Sequence, residues 1–196
     1  MIRVNGFQGE AVIGLVASGK TVERGLMEFL APQLSGIYGQ RVEVSARLPA
    51  PQYAFDERRG QYSSTAILIR LRRSLEGVYG KVLGIVDVDL FIPSLNFVFG
   101  EADILHGVAV VSLFRLRPER YGQPSNARVL QERTLKEAVH ELGHTFGMMH
   151  CSHYRCVMHF SNSLNDTDRK SCHFCQRCRE SLAKVTGMPS GQGEKR

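Results

Sequence analysis

The 196-residue chain has no tryptophan, only 8% aromatic residues, and no cysteine before position 151. A chain whose first three quarters lack cysteine is not stapled by a distributed disulfide framework. Its longest uncharged apolar run, residues 104–114, falls well short of the roughly 20 residues that span a bilayer, so no membrane span is expected. A shorter run, residues 11–17, follows Glu10 and a leader whose one basic residue is Arg3; it fits a first core strand better than a signal peptide, and a cytoplasmic protein is expected. With 43% hydrophobic and 22% charged residues, the composition excludes a disordered tail, a collagen and a coiled coil, and provides for a buried core. The net charge of +6 permits an acidic partner without requiring one.

The pattern before residue 150 alternates strand and helix. Residues 11–16 are a β-prone run ending at Ser18-Gly19, and Thr21 to Arg24 open a helix whose apolar positions Val22, Leu26, Phe29 and Leu30 recur at helical spacing until Pro32 ends or kinks it. Residues 41–48 alternate as a half-buried strand, residues 49–62 read as a loop, and residues 63–75 read as an arginine-studded helix, with a strand around Ile67 as the alternative. Residues 82–88, 96–100 and 108–116 are three further β-rich runs, with an acidic turn at residues 101–103. The expected class is α/β (α+β): a mixed, twisted sheet of about five strands with helices packed on it. After an irregular stretch, residues 115–126, a second long helix carries Val129, Leu135, Val139, Leu142 and Phe146 in one stripe, and Thr134 with Glu137 offers a capping box for a later start. No internal repeat or low-complexity segment is present, and residues 187–196 read as a frayed polar tail.

The most specific signal is His140-Glu141-Leu142-Gly143-His144-Thr145-Phe146-Gly147-Met148-Met149-His150. Side chains four apart on a helix stand one turn apart on one face, so His140 and His144 can reach a single zinc ion. Glu141 lies about 100° round the helix, badly placed to bind the ion but well placed to touch a water on it as general base. Gly147 can adopt the left-handed conformation that turns the chain and brings His150 back as third ligand. One position then stays open for water, as a catalytic zinc requires.

The five cysteines, Cys151, Cys156, Cys172, Cys175 and Cys178, crowd into the last quarter. Short spacing and odd number favour a metal cluster in a reducing compartment over a pair of local disulfides with a spare thiol. Cys151 with Cys156, and Cys175 with Cys178, can make a closed tetrahedral zinc site. Cys172 and Cys175 form an overlapping pair; Cys175 and Cys178 are preferred because residues 179–185 can continue as a helix. His153, His159 and His173 could substitute as ligands, but each reads first as an ordinary surface or loop histidine. The basic segment Arg169, Lys170, Arg177, Arg179, Lys184, Lys195 and Arg196, opposed by Glu180 and Glu194, reads as a solvated face, and nucleic-acid binding is not expected.

This constellation resembles the metzincin zinc peptidases and, in its tight coupling of cysteines to the third histidine, the archaemetzincins. The resemblance implies a compact metzincin-like catalytic domain. A catalytic zinc would sit on His140, His144 and His150 with Glu141 as base, Met158 in a tight turn beneath the metal, and a structural zinc on Cys151, Cys156, Cys175 and Cys178. It also implies a cleft along an edge strand, expected at residues 96–100. Cys172 lies outside the family pattern. The domain plan is a catalytic part (1–150), a Cys-rich zinc part with a C-terminal helix (151–186) and a tail (187–196). The expected activity is hydrolysis of peptide bonds by a zinc-bound water activated by Glu141, on peptide or protein substrates, by a monomer holding two zinc ions. The alternative is a non-catalytic zinc module that binds peptides or regulates a partner with the histidine site idle.

Overall fold

A computed structural model of the protein describes residues 12–187; the proposed tail beyond Gly187, and Ala11 of the first run, lie outside them. Along the chain run β1 (Ile13–Ala17), α1 (Arg24–Tyr38), β2 (Val42–Val44), β3 (Phe55–Asp56), β4 (Gln61–Ser63), α2 (Ser64–Leu75), β5 (Lys81–Val86), β6 (Leu90–Phe91), β7 (Gly100–Asp103), β8 (Val108–Ser112), α3 (Ala127–Thr145), α4 (Leu164–Arg169) and α5 (Gln176–Thr186).

The main sheet has five strands in the order β2-β1-β5-β8-β7. β1 is parallel to β2 and β5, and β5 to β8; β7 runs antiparallel to β8 at the edge. The mixed sheet of about five strands is therefore observed. Its central strands read as continuous apolar runs because both faces are covered. Ile13, Leu15, Leu83, Ile85, Ala109 and Val111 face a core shared with α1 and α3, while Val16, Val82, Val86, Val108 and Val110 face α2. A Cβ on Gly84 would lie 2.5 Å from Leu71 Cδ1, so its lack of a side chain lets α2 approach the sheet.

Of the two outcomes expected at Pro32, the helix does not end there: Pro32 sits inside α1, where Leu26, Leu30, Leu34 and Tyr38 form one buried stripe whose packing outweighs one lost backbone hydrogen bond. Three local expectations need correction. Helix α3 starts at Ala127, where the Asn126 side chain accepts from the Val129 N–H at 3.1 Å, so Thr134 and Glu137 do not form its cap. The stretch 49–62 contains a 3-10 turn (Gln52–Ala54), β3 and the start of β4, which join β6 in a small second sheet. The edge strand is Gly100–Asp103 rather than residues 96–100, and the expected acidic turn is itself strand. Acidic residues suit an edge, where one side of the strand faces water; the Glu101 carboxylate is held by Ser64 and Thr65 at the start of α2.

Candidate metal centre and active site

Helix α3 brings His140, Glu141 and His144 to the edge of the sheet. The helix ends at Thr145, Gly147 takes φ +80°, and the Met148 N–H returns to the Gly143 carbonyl at 3.0 Å. That reversal carries His150 back over the helix. One ring nitrogen from each of His140, His144 and His150 lies within 4.8 Å of the others.

Hydrogen bonds fix two of the rings. His140 Nδ1 contacts the Val157 carbonyl at 2.8 Å and His144 Nδ1 contacts the Met148 carbonyl at 2.7 Å. A carbonyl only accepts, so each Nδ1 carries the proton and each Nε2 of the neutral ring presents a lone pair. Those two Nε2 atoms face each other 3.1 Å apart. Burial, and for His140 next the Lys170 ammonium, lowers both rings' affinity for a second proton. Two facing lone pairs that resist protonation fit a shared metal ion, and the carbonyl bonds are the outer support that metal-binding histidines use. His140 is buried, His144 half-buried and His150 exposed, so the cluster opens to solvent on the His150 side.

Glu141 is 7% exposed. Its pKa is raised well above the carboxylate norm by burial first and then by the charge of Glu137, with Lys170 opposing. Gly100 of the edge strand makes room for it: a Cβ there would lie 2.6 Å from Glu141 Cγ and 2.6 Å from the Val110 carbonyl.

Met158 lies fully buried in a tight turn closed by the His159 N–H on the Cys156 carbonyl at 2.9 Å. Its sulfur occupies the space that a side chain on Gly143 would need, 2.6 Å from an added Cβ. The preceding carbonyl, that of Val157, is the one that holds His140, so this turn supports the histidine cluster directly.

The thiols of Cys151, Cys156, Cys175 and Cys178 also converge, all within 4.8 Å of one another, and all five cysteines are free thiols. Four soft donors at that separation suit tetrahedral zinc. Burial raises the Cys151 thiol, but hydrogen bonds from the His153 backbone, Arg177 and neighbouring thiols outweigh it and bring it to about 7; Cys178 is pushed far up by burial and by Cys156. Cys172 lies apart, with its sulfur 3.5 Å from His173 Nε2. Arg177 donates to Cys151 Sγ at 3.5 Å.

Sequence reasoning missed a buried polar hub next to this site. Lys170, read as part of a solvated face, is 1% exposed and pairs with Glu137 Oε1 at 3.0 Å, which also accepts from Thr167 Oγ1 at 2.8 Å. Glu137 stands one turn before Glu141 on α3, so its spacing was a usable signal. For Lys170 the sequence carries no such signal.

A helix presenting two histidines and a carboxylate at the edge of a mixed sheet, with a third histidine returned by a glycine turn, defines a zinc metallopeptidase. The comparisons agree. The sequence pattern of Peptidase family M54 matches residues 24–184. The archaemetzincin of Methanocaldococcus jannaschii is 45% identical over 157 residues, covering 80% of this chain and 85% of that protein, and that of Pyrococcus furiosus is 43% identical over 170 residues, covering 83% and 88%. Among solved structures, archaemetzincin from Methanopyrus kandleri superposes with a TM-score of 0.81 at 37% identity, covering 94% of this chain and all of that one. A zinc-dependent peptidase from Methanocorpusculum labreanum gives 0.80 at 33%, covering 87% and 99%. The chain belongs to peptidase family M54, the archaemetzincins. Among the described residues no helix is long and apolar enough to cross a membrane.

Proposed function

We propose that this archaemetzincin hydrolyses peptide bonds with zinc held by His140, His144 and His150 and Glu141 as general base, while a second zinc, held by Cys151, Cys156, Cys175 and Cys178, is structural. The observation that carries the reading is the pair of unprotonated Nε2 atoms facing each other at 3.1 Å. Zinc bound there would supply Lewis acidity, polarising the scissile carbonyl and acidifying a water at the open corner.

The chain's own groups do the rest. The Val157 and Met148 carbonyls hold the rings so that Nε2 faces the ion. Glu141 takes a proton from the attacking water and returns it to the leaving amine, and its burial favours the protonated form it must hold between those steps. The substrate backbone lies along β7, where Gly100 leaves Glu141 room to reach the scissile bond. Each ligand set is complete within one chain, which supports a monomeric enzyme, and a four-thiolate site needs reduced cysteines, which supports the cytoplasm.

Glu141→Gln tests the assignment of the base. The variant is expected to keep the wild-type zinc content and to lose about 100-fold or more of peptide cleavage; cleavage at the wild-type rate would remove Glu141 from the mechanism. Metal analysis tests the two sites: about two zinc per wild-type chain, about one after His140→Ala with His144→Ala, and about one after Cys175→Ser with Cys178→Ser.

A further inference from the structure

Residues 92–99, between β6 and β7, belong to no strand, yet residues 95–100 form the wall that stands beside His140 and Glu141. A bridge ties this wall to β6, with the Val98 N–H on the Leu90 carbonyl at 3.0 Å. Backbone outside a ladder must find partners for its carbonyls among side chains or water. Here a polar hub behind the wall takes two successive carbonyls. Gln61 of β4 is buried, and its Nε2 donates to the Asn96 carbonyl at 3.0 Å and to Asp89 Oδ2 at 3.1 Å. Its Oε1 accepts from Arg59 Nε at 3.1 Å, and Arg59 Nη2 donates to the Leu95 carbonyl at 2.9 Å and to that of Asn96 at 3.2 Å. On the far side of the hub, Arg115 forks onto both oxygens of Asp89 and lays its guanidinium over the Phe97 ring, 4.2 Å from its centre.

The chemistry of this hub requires an amide at position 61. Asn96 offers a carbonyl and Asp89 a carboxylate, both acceptors, and the two hydrogens on one amide nitrogen serve both at once while the amide oxygen receives Arg59. The hub also acts on a limited stretch. The wall ends at Phe99, whose carbonyl accepts from the Ser112 N–H at 2.8 Å, in line with the pairing of β7 on β8. From there the sheet holds Gly100, and Glu141 lies against Gly100. A shift of residues 95–97 would therefore alter how the cleft receives a peptide without moving the proposed base.

Resting on the peptidase reading above, we propose that Gln61 is a positioning residue for substrate binding: with Arg59 it holds the Leu95 and Asn96 carbonyls, and through Asp89 and Arg115 it is coupled to Phe97, so that the wall keeps the cleft at one width. It touches no reacting atom. Its effect is carried by the wall alone and falls on the binding of peptide rather than on the chemical step.

The test uses zinc-loaded enzyme and quenched peptides of mixed sequence. Gln61→Met removes the amide while Asp89 keeps Arg115 and Asn96 keeps Arg59, so no buried charge is stranded. It is expected to raise KM about fivefold with kcat within about twofold of wild type. Hydrogen exchange at the Val98 amide should quicken about tenfold relative to the amides of β8, a local loosening that a general loss of stability would not produce. Gln61→Glu keeps the shape and the Arg59 contact but turns an acceptor toward Asn96 and Asp89, and should raise KM at least as much. Arg59→Met, at an exposed position, should raise it about threefold. An unchanged KM in Gln61→Met, a wild-type KM in Gln61→Glu, or a fall in kcat at constant KM would overturn the proposal and leave the peptidase reading standing. If the wild type cleaved no peptide, the hydrolytic reading would fail and calorimetric binding of the same peptides would decide the wall: about fivefold weaker binding to Gln61→Met supports it, and equal binding sinks it.

Discussion

Gly143 sits inside the active-site helix, where alanine would ordinarily add about 1 kcal/mol of helix stability. Here an added Cβ would meet Met158 Sδ at 2.6 Å and Cε at 3.2 Å, in a fully buried side chain. Overpacking of that kind costs about 1–3 kcal/mol, so it outweighs the propensity gain, and Gly143→Ala is expected to destabilise by about 1 kcal/mol net. Adding Met158→Ala should recover part of the loss, giving a coupling above about 0.5 kcal/mol in a denaturation cycle; strict additivity would show that the two residues do not touch. Tyr38 offers a second residue-scale test. Its hydroxyl donates to the Val139 carbonyl on α3, its ring stacks on Phe146 at 4.8 Å, and burial followed by the charge of Glu141 raises its pKa well above the tyrosine norm. A phenol that keeps its proton when folded contributes stability that is complete below the unfolded pKa, about 10, and is lost as pH rises beyond it. Tyr38→Phe should cost about 1 kcal/mol at neutral pH and flatten the decline in stability above about pH 10, measured against wild type in urea. At this scale the site was largely legible: the spacing of His140, Glu141, His144 and His150 demands a helix and a turn, and the structure supplies both. Gly100, Tyr38 and Lys170 were not legible, because each acts through a neighbour more than 25 positions away in the chain.

Elements were legible where one physical signal dominated. The buried strands β1, β5 and β8 and the helices α1, α2 and α3 announced themselves through apolar runs and helical periodicity, with errors at their ends where capping and packing decide. The edge strand β7 was misjudged because its acidic residues look like a turn when its partners are unknown. Helix α4 was overlooked although its signal is present: Ser163 and Asp166 form a reciprocal capping box, and the six-residue length hid it. That short helix matters because it docks on α3. Arg133 forks onto Asp168 at 2.7 and 2.8 Å, Lys136 Nζ donates to the carbonyls of Thr167 and Asp168, and Lys170, the residue after α4, closes on Glu137. Stranding one member of a buried pair costs about 3–5 kcal/mol, whereas exchanging both for apolar residues is often neutral. Lys170→Met alone is therefore expected to lower stability by about 3 kcal/mol or more, and Glu137→Met combined with Lys170→Met should return to within about 1 kcal/mol of wild type. A single variant as stable as the wild type would mean that the pair does not fasten the two helices.

Across the whole molecule the histidine and cysteine clusters are joined by one peptide bond, since His150 is followed directly by Cys151. Cys151 is also tied on its other side: its N–H donates to the Met158 carbonyl at 2.9 Å, and its carbonyl accepts from His159 Nδ1 at 3.0 Å. The same short stretch thus sets the third histidine, the turn that supports His140, and a corner of the thiol cluster. Cys151, Cys156, Cys178, Phe174 and Leu182 share one continuous core with Tyr38, Val139 and Phe146, so distortion at the thiols has packed side chains through which to reach the active-site helix. His140 and His144 are held by the helix itself, but His150 is exposed and takes its position from the anchored Cys151 beside it. On the two-zinc proposal, emptying the cysteine site would therefore weaken zinc at the histidines by freeing one of the three proposed ligands. Cys175→Ser with Cys178→Ser is expected to lower the affinity of the histidine site about tenfold, though neither residue belongs to it, and to lower the midpoint of thermal unfolding. Linkage requires the converse, that an empty histidine site weakens the cysteine site by the same factor. Chelator competition measures the zinc affinity of each site with the other filled and empty, and a factor of one in both directions would mean that the two clusters are independent despite their shared backbone.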